Sequence, residues 1–128
     1  MSGDKLLDLA VGVEVTSNGQ VIGETLDLGA GYNTGGYDAV YYCEVIEPIT
    51  GTGINITGSD TEAFATSKVL ISKELTAADK AAGARFILGS LPKTGNCRFI
   101  RAVSDGITAG KVNIYSKMVE VVKASSVG

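Results

Sequence analysis

The sequence predicts an all-β domain: a jelly-roll or other β-sandwich of about eight antiparallel strands, with at most one short helix around residues 76–82. Two observations carry this expectation. Apolar residues recur with a period of two in short runs, as half-buried strands require. Between the runs lie clusters drawn from seventeen glycines, against only two prolines. Glycine reaches the positive φ of tight reversals without steric cost, so the clusters mark turns rather than disorder. The 128 residues suffice for one domain, burying about 68% of the unfolded surface.

Residues 10–16 read as the first strand, and Ser17-Asn18-Gly19-Gln20 as a hairpin turn. A second strand covers 21–28, with Ile22, Leu26 and Leu28 on one face and Glu24 as an odd charge among them. Four glycines in residues 29–36 form a loop around Tyr32. The run 38–47 is apolar on both faces: Ala39, Tyr41, Cys43 and Val45 on one, Val40, Tyr42 and Ile46 on the other. Such a strand is central in its sheet, or its outer face is covered. Pro48 ends it, since proline cannot donate to a ladder.

A short strand follows at 54–58. Ser59 then caps a tight loop, which Ala63 and Phe64 are expected to anchor to the core. Residues 68–75 are a strand with Val69 and Ile71 on one face and Leu70 on the other. Thr76 to Gly83 is the one helix-friendly stretch, with four alanines between a possible cap and a stop. Residues 84–88 form a strand with Phe86 and Leu88 inward, and 91–96 a turn.

Cys97 to Val122 reads as a hairpin whose turn-rich link, Ser104 to Gly110, contains Asp-Gly. In its first strand either Phe99 and Val103 or Ile100 and Ala102 face the core. In its second, Val112, Ile114 and Met118 face inward and Lys111, Asn113, Tyr115 and Lys117 outward. Continued alternation would bury Glu120, so a bulge is expected near Met118–Val119. Eight strands suit a jelly roll, although an immunoglobulin-like sandwich has similar spacing.

The chain contains no histidine, which removes the commonest general base, the Ser-His-Asp arrangement and most catalytic zinc sites. It has no phosphate-binding Gly-x-x-x-x-Gly-Lys-Ser/Thr loop. Asp60 and Glu62 lie two apart in a turn, too few for a calcium site and unsuited to paired-carboxylate hydrolysis. No enzyme activity, cofactor or metal is expected. Cys43 and Cys97 each sit in a strand-like apolar run and are expected as buried free thiols. The start of the chain is too short and charged for a signal peptide, and no run approaches the ~20 apolar residues of a membrane helix. A cytoplasmic product with no membrane contact is therefore expected.

Charge is distributed unevenly. Residues 1–67 hold ten acids and one base, a balance of −9; residues 68–128 hold four acids and ten bases, +6; the sum is −3. Either the subunit is dipolar and meets copies of itself, or early and late strands interleave and mix the charges. The bases are scattered singly, without a patch that would suit nucleic acid. Candidate contact residues are Leu6, Leu7 and Leu9 in an N-terminal arm (1–10), Tyr32 and Tyr37 around the glycine-rich loop, and Arg98 and Arg101. The arm precedes a domain at 11–123 and a flexible tail at 124–128.

The order of several short segments resembles the jelly-roll cement, or decoration, proteins of tailed bacteriophages, of the Bordetella phage cement protein type. The segments are Asp4-Lys5-Leu6-Leu7 with Val15-Thr16, Thr25-Leu26-Asp27-Leu28-Gly29, Ser59-Asp60 with Glu62-Ala63-Phe64, Ala82-Gly83 with Phe86-Ile87-Leu88 and Leu91-Pro92, Arg98-Phe99-Ile100-Arg101, and Thr108-Ala109-Gly110-Lys111-Val112. Phe99 stands where that family usually has tyrosine, and the tail is longer than usual. The resemblance implies a non-enzymatic virion protein, made in the host cytoplasm. It would bind the outside of an icosahedral head and clamp neighbouring copies of the major capsid protein. It also implies a homo-oligomer, a dimer or else a trimer. The residues alone would equally suit a carbohydrate-binding or tail-fibre module.

Overall fold

The computed structural model describes residues 8–27, 37–91 and 97–120, and the side chains of all of these except 37–39 and 117–120. The expectations for Leu6, Leu7, the glycine-rich loop with Tyr32, and the C-terminal tail fall outside them. Eight strands are present: β1 (Ala10–Glu14), β2 (Val21–Asp27), β3 (Tyr37–Glu47), β4 (Gly53–Ser59), β5 (Lys68–Glu74), β6 (Arg85–Leu91), β7 (Phe99–Asp105) and β8 (Lys111–Glu120). The helix-friendly stretch is one 3-10 turn, Ala78–Lys80. Thr76 and Asp79 tie it down reciprocally, each backbone N–H donating to the other's side-chain oxygen.

Two four-stranded antiparallel sheets face each other, in the orders β1-β8-β3-β6 and β2-β7-β4-β5. The pairing is nested: β1 with β8, β2 with β7, β3 with β6, β4 with β5. The strands thus form one long ribbon folded back on itself into a β-sandwich, an order compatible with a jelly roll. β3 is central, flanked by β8 and β6; on its outer face Tyr42 is covered by Tyr115, while Ile46 stays exposed.

This topology corrects two expectations. Neither Ser17–Gln20 nor Ser104–Gly110 closes a hairpin, because β1 and β2, like β7 and β8, lie in different sheets. The turn chemistry is present all the same. Gly19 and Gly106 have φ of 79° and 76°, and Gln20 N–H reaches the Ser17 carbonyl at 3.3 Å. These turns carry the chain across the sandwich; β4 and β5 are the one pair of consecutive strands that share a ladder.

The core is the interleaved inner faces, among them Ile22, Tyr41, Ile54, Ile56, Ile100 and Ile114, all fully buried. In β7 the inward phase belongs to Ile100 and Ala102. In β8 Val112 and Ile114 are inward as expected, and buried Ser116 continues that face. Leu9, expected at an interface, is fully buried in this core, and its N–H donates to the Ile114 carbonyl at 2.9 Å. It sits one residue before β1, so the domain packing begins inside the expected arm.

Where strict alternation fails, the register slips. A slip between Ile22 and Leu26 leaves Glu24 exposed and so removes the apparent blemish. A slip opposite Ile56 and Thr57 buries Ile71, leaves Val69 exposed and packs Leu70 against the core. The bulge expected at Met118–Val119 is not found. The β3–β8 register runs unbroken from Tyr37↔Glu120 to Val45↔Val112 and slips only between Val45 and Glu47. Eleven-residue β3 extends far enough to pair β8 throughout, so the backbone ladder outweighs the preference inferred for Glu120, whose side chain lies outside the described residues.

Nested pairing also settles the charge asymmetry, because each first-half strand lies beside a second-half strand. Asp27–Arg98, Glu44–Arg85 and Glu47–Lys111 each join an early acid to a late base, at 2.7, 2.9 and 3.6 Å. The charges mix over the surface instead of making a dipolar subunit.

The two sheets close on each other at β1 and β2, where Glu24 N–H donates to the Leu9 carbonyl at 2.8 Å. Gly23, at φ 87°, is the point of closest approach: a Cβ there would collide with the Leu9 carbonyl and with Ala10. Gly83 has the same φ but open space around it. Gly23→Ala should therefore cost more than about 3 kcal/mol and Gly83→Ala about 1 kcal/mol. Urea unfolding of the two variants measures the difference; equal losses would contradict the close approach.

Candidate interaction surface

Both sheets present organised outer faces. On the β1-β8-β3-β6 sheet, one hydrogen-bonded row crosses all four strands. Gly12 N–H donates to Asn113 Oδ1 (2.6 Å), Asn113 Nδ2 to Glu44 Oε1 (3.0 Å) and Arg85 Nη2 to Glu44 Oε2 (2.9 Å). The Arg85 and Asn113 donors hold the Glu44 carboxyl below its ordinary range. In the next row Tyr42 and Tyr115 stack at 5.7 Å. Tyr115, expected on a wet face, is only 3% exposed. Among the described residues of this sheet, Val11, Ile46 and Ile87 are the exposed large apolar side chains.

The other face, on β2-β7-β4-β5, carries Arg98 and Arg101. Alternation in β7 that turns Ile100 and Ala102 inward turns Arg101 outward, opposite Thr57 of β4. Arg98 sits just before β7 and bridges to β2, with Nε and Nη2 on the two Asp27 carboxylate oxygens at 2.7 and 2.8 Å. Its guanidinium also lies 5.1 Å from the Phe99 ring centroid. Arg98 therefore bridges strands.

The loop after β4 folds over this face. Ser59, only 2% exposed, accepts from Thr61 N–H at 3.1 Å and donates to the Thr66 carbonyl at 2.5 Å. Thr61 in turn accepts from Ala65 N–H through its hydroxyl and from Phe64 N–H through its carbonyl. These bonds set Phe64 at φ 55°, where a bulky side chain is an outlier. Its ring then lies 3.9 Å from the Arg101 guanidinium carbon. Phe64 thus packs on the outer arginine and not in the core, which corrects the anchoring role expected of it. Ala63, expected to share that role, is exposed.

Beside this loop, Gly58, Ser59, Asp60, Lys68 and Cys97 line a hollow of about 210 Å³. Burial raises the Cys97 thiol pKa, against an opposing pull from Lys68 and with a smaller push from Asp60. Cys43 lies in the core, where burial pushes its thiol up to about 12. Both cysteines are free, as expected. Among the described residues no three His, Cys, Asp or Glu side chains gather as a metal site.

Of the candidate contact residues, Arg98 and Arg101 belong to the same sheet but engage different partners, Asp27 and Phe64. Tyr37 starts β3 opposite Glu120, with its side chain outside the description. Phe64, Ser59 and the Tyr42–Tyr115 pair were not among the candidates. The Ser59 cap was legible in sequence; the ring on Arg101 was not, because it depends on which face the loop covers. No protein-family model matches the chain, and no curated protein matches it in sequence.

Two outcomes are expected here. Ser59→Ala leaves Thr61 N–H and the Thr66 carbonyl without their partner and should cost about 1–2 kcal/mol; thermal unfolding indistinguishable from the parent would show that the loop is not held by this hydroxyl. A raised folded-state pKa gives stability that is complete below the unfolded thiol's pKa of about 8.5 and declines as pH rises towards 12. Cys43 should therefore resist a thiol reagent at pH 8 until the protein unfolds; prompt labelling of native Cys43 would contradict its burial.

Proposed function

We propose that this protein is a structural decoration, or cement, protein of a tailed-bacteriophage capsid. It binds the outer surface of the icosahedral head, clamps neighbouring major capsid proteins and is itself a homo-oligomer, with a dimer favoured over a trimer. The observation that carries this reading is the coincidence of the resembling segments with distinct parts of a β-sandwich whose order is compatible with a jelly roll. Thr25-Leu26-Asp27 closes β2, Ser59 to Phe64 makes the loop over the outer face, and Phe86-Ile87-Leu88 lies within β6. Arg98 to Arg101 opens β7, and Thr108 to Val112 leads into β8.

Physical considerations support the same reading. The outer faces carry exposed apolar side chains beside arginines, a mixture that suits a protein contact. A clamp needs only modest affinity at each contact, because simultaneous contacts on neighbouring capsomers multiply. A carbohydrate-binding module would present open aromatic platforms, whereas Tyr42 and Tyr115 cover each other. No catalysis and no cofactor form part of the proposal.

Mixing purified protein with undecorated heads and sedimenting the particles tests it. The expected result is protein bound at a fixed ratio to the major capsid protein. Protein left wholly in the supernatant at saturating concentration would refute the reading.

A further inference from the structure

We propose that Arg101, walled by Phe64, is a carboxylate-binding site on the outer face of the second sheet, and that its ligand is an Asp or Glu side chain of a partner protein. The capsid reading names no contact chemistry; this inference rests on the geometry of the two residues and stands apart from it.

Arg101 differs from the other paired bases on the described surface. Arg98 holds Asp27, Arg85 holds Glu44, Lys111 holds Glu47 and Lys73 holds Asp79. Arg101 has no hydrogen bond or ion pair to any described residue, and its Nε is buried without an acceptor. A guanidinium carries five N–H donors in one plane. Here a single contact engages it, the Phe64 ring centroid 3.9 Å from Cζ; the buried Nε is closed to a partner, so the two Nη groups are the donors that one could reach. An arginine stacked in this way is pre-oriented for a planar acceptor that takes two parallel hydrogen bonds.

The wall is built at a cost. Phe64 is the one non-glycine residue with positive φ among those described, and its loop is tied by Ser59 and Thr61. Strain of this kind persists where the surroundings over-determine it, and such positions cluster at ligand sites. Arg101 itself stands on β7, an inner strand paired on both sides, so its backbone is fixed.

A carboxylate suits the site better than a phosphate or a nucleic-acid backbone. Arg101 offers a single fork, and the neighbouring base on this face, Arg98, is already neutralised by Asp27. Asp60 and Glu62 in the same loop repel a dianion or polyanion more than a single negative charge.

The test follows the arginine Nε–H signals in ¹H–¹⁵N spectra while the blocked peptide acetyl-Gly-Glu-Gly-amide is titrated into the intact protein. Its glutamine counterpart and inorganic phosphate serve as parallel arms. The expected result is a saturable shift of the Arg101 signal with the glutamate peptide, absent with the glutamine peptide and weaker with phosphate, while Arg98 stays with Asp27. Arg101→Lys should weaken binding about tenfold through loss of the planar fork, and Phe64→Leu about two- to fivefold. No saturable shift, an equal response to the glutamine peptide, or equal movement of Arg98 and Arg101 would overturn the site. Tighter binding of phosphate would overturn the ligand class. The parent titration decides the matter even if a variant fails to fold, and it needs no capsid, so its failure is distinct from failure to bind heads.

Discussion

The β3–β8 ladder is the constraint on which the rest of this structure depends. It joins residue 37 to residue 120 and residue 47 to residue 111 through ten paired positions, with one irregularity. These two strands occupy the middle of the first sheet, with β1 and β6 on their flanks. Once they pair, β2 and β7, and then β4 and β5, are brought together as successive turns of the same ribbon. Most contacts are therefore remote in sequence. Loop closure must precede their reward, so slow folding is expected of such a topology.

The same nesting sets the electrostatics. An acidic first half and a basic second half would give a dipolar molecule if each half folded on itself. Rolled together, they place Glu44 beside Arg85, Glu47 beside Lys111 and Asp27 beside Arg98. These pairs are exposed and contribute little to stability individually. Their consequence is arrangement: Arg85 and Arg98 are neutralised locally, and Arg101 is the described arginine that is not.

Much of the fold was legible in the residues. Period-two alternation located all eight strands, and glycine clusters located the reversals. Pairing was not legible. Asn18-Gly19 and Asp105-Gly106 specify that the chain turns, and nothing in a turn specifies whether the next strand joins the same ladder or crosses to the opposite sheet. Local phase was also unreliable wherever register slipped, as at Gly23, Val69 and Ile46, because one extra residue exchanges the faces. The surface was legible in part. Arg98 and Arg101 could be singled out as arginines in a strand with no chemistry to perform. Their different fates depended on Asp27 from β2 and on Phe64 from a loop some 40 residues upstream, distances in sequence that no periodicity spans. Leu9 could be read either way, because an apolar residue before a strand looks the same whether it packs at home or abroad; it packs at home.

The most direct test of the nested pairing is a map of interstrand proton–proton NOEs in solution. Contacts are expected between the backbones of Tyr42 and Tyr115, Cys43 and Ile114, and Val45 and Val112, together with contacts of β7 to β2 and β4. A continuous ladder between Phe99–Asp105 and Lys111–Glu120, with no contacts from either strand to its assigned partners, would contradict the nested order and the surface it builds.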